Sequence, residues 1–402
     1  MENRVRSSKE YISVKGSEFY LNGESFRVIG MNFWSAMNLG CKKENLGDLP
    51  RLRRELDFLA ELGVNTLRII CGSEGPKTEP YRIKVPLMPQ EGLYDEEVWL
   101  GLDTLLVELD KRNLKAIMVL SNFWFWSGGF GQMLNWSTKK PIPYDWDTFE
   151  AWCIEFYNDP KAQEIYLNHI QTVLTRINQI NGKKYSEDTT VMAWELANEP
   201  RQAKSKWVKK VGRFIRQLDP VHLVSLGQEA IAGKEDFLEV HGVEEIDFTT
   251  LHIWVQNWGI YDPTDGSEEH LETAVNWALE RYRDVASWSH ELNKPLIFEE
   301  YGMARDGWLP TKNIYDPNTP TSNRDRYFQV LMDETVELMK EKKSMGQMIW
   351  SWAGEGRPTD EEPRWLGDPP HEPPGWYSIF NTDDTTLKII REHAEKVRVS
   401  MK

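Results

Sequence analysis

"VMAWELANEP", residues 191–200, changes character halfway along. Val191, Met192, Ala193, Trp194 and Leu196 are apolar, with the β-branched and aromatic types that suit a buried strand. Asn198, Glu199, Pro200 and Arg201 then follow in succession. A hydrophobic strand that ends on an amide, a carboxylate and a rigid proline is read as one whose C-terminal end opens onto a polar site. In an α/β barrel, that is the end at which side chains from different strands converge. Seven more stretches read as strands: "RVIGMN" (27–32), "NTLRII" (65–70), "KAIMVL" (115–120), "LVSLG" (223–227), "FTTLHI" (248–253), "PLIFEE" (295–300) and "QMIWSW" (347–352). Amphipathic segments such as "RLRRELDFLAEL" and "RYFQVLMDETVELMKEK" lie between them, with apolar residues three and four apart. Strands alternating with helices imply parallel pairing through right-handed crossovers, and eight such units predict a (β/α)8 TIM barrel. The weakest helical link follows "LVSLG". "YISVKGSEFYLNGESF" (11–26) reads as a short hairpin that turns at Asn22-Gly23 and closes the barrel bottom. With no linker, repeat or low-complexity tract, one domain over 1–402 is expected.

Composition narrows the chemistry. The 402 residues suffice for a large core, and a net charge of −15 argues against nucleic acid and anionic membrane surfaces. No stretch approaches the roughly 18 apolar residues of a membrane span. "MENRVRSSKEY" lacks the apolar segment of a signal peptide. A cytoplasmic protein is expected if this is the native N-terminus, and a secreted one if a leader has been removed. Cys41, Cys71 and Cys153 have no CxxC spacing and read as free or buried thiols. Eighteen tryptophans is a high count, and many stand beside polar residues, as in "SNFWFWSGG", "LHIWVQNWG" and "IWSWAGEGR". Flat rings beside hydrogen-bonding groups are what a pyranose face requires.

The strand ends supply a coherent polar set: Asn32 and Trp34, Arg68, Asn122 with Trp124 and Trp126, Asn198 and Glu199, His252 and Trp254, Glu300 and Trp350. Two carboxylates on the fourth and seventh strands face each other across the mouth, the arrangement used in glycoside hydrolysis. Period-two alternation turns only one of Glu299 and Glu300 inward. "WELANEPR" and "PLIFEEYG" resemble the acid/base and nucleophile motifs of glycoside hydrolase family 5. "NFWFWSGG", "LHIWVQNW" and "WAGEGRP" are similar to its mannan-degrading branch.

The resemblance implies that Glu199 is the general acid/base and Glu300 the nucleophile. It implies that Asn198 binds the sugar 2-hydroxyl, that Arg68 keeps Glu300 ionised, that His252 is the sixth-strand histidine and that Trp350 is the platform beneath the −1 sugar. Glu199 then needs a raised pKa to hold its proton. Many family members have His-x-Tyr after the sixth strand; here Trp254 takes the tyrosine position, so that hydroxyl is missing or supplied elsewhere, with Tyr301 as one candidate. Trp126 and Trp258 are further candidates for sugar stacking. No cofactor is needed, since two carboxylates supply both steps, and "DPTDGSEE" (262–269) lacks a full calcium ligand series, so no metal is expected. The substrate expected is mannan or manno-oligosaccharide, and the protein is expected to be a monomer.

The long proline-rich segment "AGEGRPTDEEPRWLGDPPHEPPGWYSIF" (353–380) would wall off one end of the cleft. It favours an exo-acting β-mannosidase over an endo-β-1,4-mannanase. A β-glucan hydrolase on the same barrel and a non-catalytic carbohydrate-binding barrel are the alternatives.

Overall fold

The computed structural model describes residues 10–42, 46–307, 315–359 and 365–400. It begins with three short antiparallel strands, β1 (Ser13–Lys15), β2 (Glu18–Leu21) and β3 (Glu24–Phe26), one more than a hairpin. The second turn is Asn22-Gly23, both at positive φ (57° and 84°), the left-handed pair that joins twisted strands. Phe19 of this small sheet packs with Ile117, Met192, Leu223, Phe248, Ile297 and Met348, so the sheet plugs the barrel floor as expected.

Eight parallel strands follow: β4 (Val28–Asn32), β5 (Thr66–Ile70), β6 (Lys115–Val119), β7 (Val191–Glu195), β8 (Leu223–Ser225), β9 (Thr249–Ile253), β10 (Leu296–Tyr301) and β11 (Gly346–Ile349). Each of the eight overlaps a stretch read from sequence. Their order is β8-β7-β6-β5-β4-β11-β10-β9. The two ends of that order meet where Asp247 N–H donates to Val224 O (2.8 Å) and Thr250 Oγ1 to Gln228 O (2.9 Å), so the barrel is nearly closed. The helices form the outer ring. The one over Leu49–Leu62 shows why they stop and start where they do: the Asp48 side chain accepts from Arg51 N–H, and Gly63 ends the helix at φ 93°. Leu52, Leu56 and Leu59 face the sheet. The helix after β8, Lys234–His241, has only eight residues, in line with the weak signal there.

Two departures matter for the site. The eighth stretch does not run straight through 352: β11 ends at Ile349, and Trp352–Gly354 forms a separate strand, β12, paired with β13 (Ile379–Phe380). Trp350 and Trp352 therefore do not share one strand face. Trp350 faces the cleft, while Trp352 donates to Glu55 Oε2 (2.6 Å) and stacks on Phe58 in the outer layer. In addition, the segment after β6 folds into helices Gly129–Thr138 and Trp146–Cys153, which its aromatic-rich sequence did not announce.

Candidate active site

The C-terminal ends of the strands carry a layer of charge. Arg68 on β5 is its hub. Its guanidinium donates to Glu195 Oε1 from Nη2 (2.5 Å) and from Nε (3.1 Å), to Asn198 Oδ1 (2.8 Å), to Asn32 Oδ1 (3.1 Å) and to Glu300 Oε1. His252 on β9 is the second cation. Its Nδ1 donates to Glu199 Oε1 (2.8 Å) and lies 3.4 Å from Glu300 Oε2, and its Nε2 lies 3.5 Å from Glu299 Oε2. Burial lowers the pKa of His252, but the charge of Glu300 and the bonds to Glu199 and Glu299 raise it overall to about 10. The imidazole is therefore a cation.

Glu199 sits just past β7 at φ 51°, a left-handed conformation that a glutamate rarely adopts. Its N–H donates to Gly227 O (2.8 Å), which fixes the turn before Pro200. The carboxylate accepts from Trp124 Nε1 on Oε2 (2.6 Å) and from Trp254 Nε1 on Oε1 (3.2 Å), in addition to His252. One oxygen of Glu199, one of Glu300 and a ring nitrogen of His252 lie within 4.8 Å of one another. That spacing would also suit a cation. The indole N–H groups and Arg68 already supply the positive ends there, and no metal is assigned.

In the substrate-free site the shifts of the pair run opposite to the ones that an acid/base Glu199 and a nucleophile Glu300 need during turnover. Burial pushes Glu199 up, but the hydrogen bond and charge of His252, then Arg201 and Trp124, hold it down to about 2. Burial pushes Glu300 up to about 7, with Glu199 adding repulsion and with His252 and Arg68 pulling the other way without cancelling it. In the substrate-free site, His252 favours the charge on Glu199. Two carboxylates this close titrate as a unit, and the position of the cation decides which one holds the proton.

A second correction concerns Glu299 and Glu300. The ladder between β9 and β10 shifts register between Phe298 and Glu300. A bulge there lets two successive side chains point inward. Glu299, 0% exposed, reaches toward His252 and Arg68 from beneath, while Glu300 lines the cleft above. Tyr301 does not supply the absent hydroxyl: it is buried and donates to Gln347 Oε1 (2.7 Å). The Trp254 indole instead contacts Glu199.

The cleft has a volume of about 390 Å³ and is walled by Trp124, Trp126, Trp254, Trp258 and Trp350, with Asn198, Glu199 and Glu300 at its base. Five residues named from the sequence lie behind that wall, among them Asn32, which accepts from Arg68. Arg68 and His252 sit below it; Trp34 donates to Gly367 O (2.8 Å) and packs edge-on against Trp126. Asn122 uses its amide on Ser127, Asn198 and the Trp124 N–H, and so aims its neighbours.

Other lining residues gave no legible signal. Glu229 follows short β8 and forms a fork with Arg201 (2.5 and 2.9 Å); that guanidinium covers the Trp124 ring at 5.2 Å. His371 and Glu372 come from the loop after β12. Asp368 ties this loop together by accepting from the N–H groups of Gly375 (2.7 Å) and Tyr377 (2.5 Å) and from Ser378 Oγ. His371 stacks on Trp126, and burial lowers its pKa to about 3. Burial, then the charges of Asp368 and Glu300, push Glu372 well above the carboxylate range. The acidic stretch 360–364 of the same loop lies outside the described residues. Cys41, Cys71 and Cys153 are buried thiols outside any disulfide, and no described helix is long and apolar enough to cross a membrane.

The fold has counterparts among known proteins. The model of a family described as "GH family 5 beta-mannosidase-like" matches residues 9–402. The crystal structure of a glycoside hydrolase family 5 mannosidase from Rhizomucor miehei superposes with a TM-score of 0.94; it is 40% identical, over 98% of this chain and 99% of that one. "Mannan endo-1,4-beta-mannosidase 5" of Solanum lycopersicum is 27% identical over 385 residues, 90% of this chain and 86% of that protein. An endo-β-1,4-mannanase from Thermotoga petrophila, 23% identical over 93% of this chain and 77% of that one, shares the fold with a TM-score of 0.68.

Proposed function

Because the chain belongs to glycoside hydrolase family 5, in its β-mannosidase-like branch, we propose that it is a retaining β-mannosidase releasing mannose from the ends of β-1,4-linked manno-oligosaccharides. The observation that carries this reading is the closeness of the two cleft carboxylates, with one oxygen of each within 4.8 Å of the other, beside His371 and Glu372, which line the cleft from the loop after β12. Retaining enzymes keep their two carboxyl groups about 5–5.5 Å apart, too near for a water to fit between the second carboxylate and the anomeric carbon, so that carboxylate attacks directly.

In the first step a Glu300 oxygen forms a bond to the anomeric carbon. The bond from that carbon to the leaving oxygen breaks, and the Glu199 proton goes to that oxygen. In the second step Glu199 takes a proton from water, whose oxygen attacks the anomeric carbon, and the Glu300 ester bond breaks. Mannose leaves with its configuration retained. In this reading Asn198, held by Arg68 and Asn122, binds the 2-hydroxyl, and Trp350, which lines the cleft, stacks on the sugar face. Productive binding has to put the shared proton on Glu199. A sugar that covers the cleft removes water from Glu199 and raises its pKa, while Arg68 bonds directly to the charged Glu300.

His371 and Glu372 support end-on cleavage, because they leave less room beyond the −1 sugar than an open groove would. The endo reading is favoured by the names of the tomato relatives. A time course on mannohexaose and intact mannan separates them. Mannose as the sole early product supports the exo enzyme. Mannobiose and mannotriose with a rapid fall in mannan viscosity would replace it with an endo-mannanase. No turnover of any β-mannoside would overturn both.

A further inference from the structure

The aromatic side chains most open to water among the described residues are Trp146, 47% exposed, and Tyr81, 49% exposed. A single buried ring, Phe125, meets both. Trp146 opens the helix Trp146–Cys153, whose start is fixed by the Asp145 side chain accepting from Thr148 N–H (3.2 Å). Its ring lines the cleft. Phe125 covers one face, at 4.7 Å between centroids and 32° between planes, while Trp124 and His371 meet the ring edge-on, each at 5.3 Å. These three neighbours fix the orientation of the indole and leave its second face open. A lone exposed ring needs no explanation, but two that continue outward from a cleft mark a ligand surface.

Their side of the cleft follows from Glu199. Trp124 donates to Glu199 Oε2 (2.6 Å) and packs against Trp146. Glu150, one turn after Trp146 on the same helix face, comes within 3.7 Å of Arg201 Nη1, just past Glu199 in the chain. The helix therefore stands beside the acid/base carboxyl, and the sugar that carries the protonated leaving oxygen departs on that side.

We propose that Trp146 is the stacking platform for the leaving-group sugar and that Tyr81 extends it. A β-1,4-linked manno-oligosaccharide is then gripped on the reducing side of the bond that breaks. The open indole face offers the apolar CH face of a pyranose a flat partner. The steps from Trp146 to Phe125 (4.7 Å) and from Phe125 to Tyr81 (5.8 Å) are each comparable to the length of one sugar unit. Glu372 and its loop narrow the cleft beyond the −1 sugar, so chain length is sensed on this side, and the ends of longer chains are preferred to mannobiose. The inference deepens the β-mannosidase reading and rests on it for the identity of the sugar.

The kinetic test compares Trp146→Ala, Trp146→Tyr and Tyr81→Asn with wild type on β-mannosyl fluoride, mannobiose and mannotetraose. Asparagine suits the φ of 55° at position 81. For wild type, kcat/KM should rise from mannobiose to mannotetraose. Trp146→Ala should lower kcat/KM on mannotetraose about 10-fold, through KM, with a much smaller loss on the fluoride, whose leaving group is one atom. Trp146→Tyr keeps a flat ring and should recover most of that loss. Tyr81→Asn should cost about 3-fold on mannotetraose and less on mannobiose. If Trp146→Ala does not fold, Trp146→Leu, which keeps apolar bulk but no flat face, should show the same 10-fold loss. An equal fall on fluoride and tetraose would mean that the ring only braces Trp124 against Glu199, and no change on either would mean that no sugar stacks there. Each of these outcomes overturns the proposal. So does a wild-type dimer in sedimentation that Trp146→Ala converts to monomer, which would make the exposed rings a contact between copies of this chain.

A binding measurement separates this inference from the choice of sugar. Glu300→Ala, with and without Trp146→Ala, is titrated calorimetrically with mannotetraose and with cellotetraose. If wild type turned over no β-mannoside, the β-mannosidase reading would fail, while a tetrasaccharide of either kind that binds about 10-fold more weakly without Trp146 would uphold the platform. Binding that is equal with and without Trp146, or absent for both sugars, overturns it.

Discussion

The floor and the mouth of this barrel are built from the same strands and obey opposite rules. Met192 and Glu195 both belong to β7, and Ile297 and Glu299 both belong to β10. Met192 and Ile297 belong to one apolar cluster with the Phe19 plug. Around Glu195 and Glu299 lie Arg68, His252 and two more carboxylates. The floor gains from removing apolar area from water and needs no directional partner. The mouth buries ionised groups, which is tolerable only where each is paired and hydrogen-bonded. Stability is therefore concentrated at one end of the barrel, and chemistry at the other.

The sharpest way to break this contrast is to exchange the consequences. Glu300→Ala at the mouth should lower kcat on the order of 10⁴-fold, as removal of one member of a catalytic unit does. The fold should survive, because the apolar floor is untouched; a kcat close to wild type would remove Glu300 from the nucleophile role. The floor answers with the complementary loss. Phe19 is fully buried and meets Phe248 edge-on at 5.4 Å. Phe19→Ala should destabilise by about 3–5 kcal/mol through lost transfer energy and the cavity left behind. Urea melts would measure that loss. KM and kcat on 4-nitrophenyl β-D-mannoside below the melting range should match wild type. A changed KM would mean that the floor also shapes the cleft.

The two ends were unequally legible in the sequence. Floor and strands could be read because runs such as "KAIMVL" carry their own evidence: β-branched and apolar residues bounded by polar breaks. Glu199, Asn198 and Glu300 were legible because a polar motif at the end of such a run has no packing role to explain it. Depth was not legible. Arg68 and His252 stand at strand ends like Asn198, yet lie under the wall of the cleft, because their height depends on barrel stagger that local sequence does not encode. Glu299 was assigned outward by strict alternation, and a bulge, which leaves no mark in composition, turned it in. His371 and Glu372 reach the cleft only because Asp368 ties their loop across many residues. The sharing of the proton was not legible for a related reason: it depends on where His252 sits between Glu199 and Glu300, which is a tertiary fact.

Trp254 gives the subtlest test of the contrast, since an aromatic ring at the mouth should matter through its polar edge and one at the floor through its bulk. The ring is buried against Tyr377 and Trp350, and its Nε1 donates to Glu199 Oε1 at 3.2 Å. Trp254→Phe keeps an aromatic body and removes that donor. A hydrogen bond to a charged group contributes about 1.5–3 kcal/mol, and this long one belongs at the lower end, so kcat should fall about 10-fold. Stability should change little beside the loss at Phe19, because Glu199 retains its bonds from His252 and Trp124. If Trp254 acts only as a wall, the substitution would instead raise KM and leave kcat alone. The ratio of the two effects therefore says whether the residue standing in the family's tyrosine position works on the acid/base carboxyl or on the sugar.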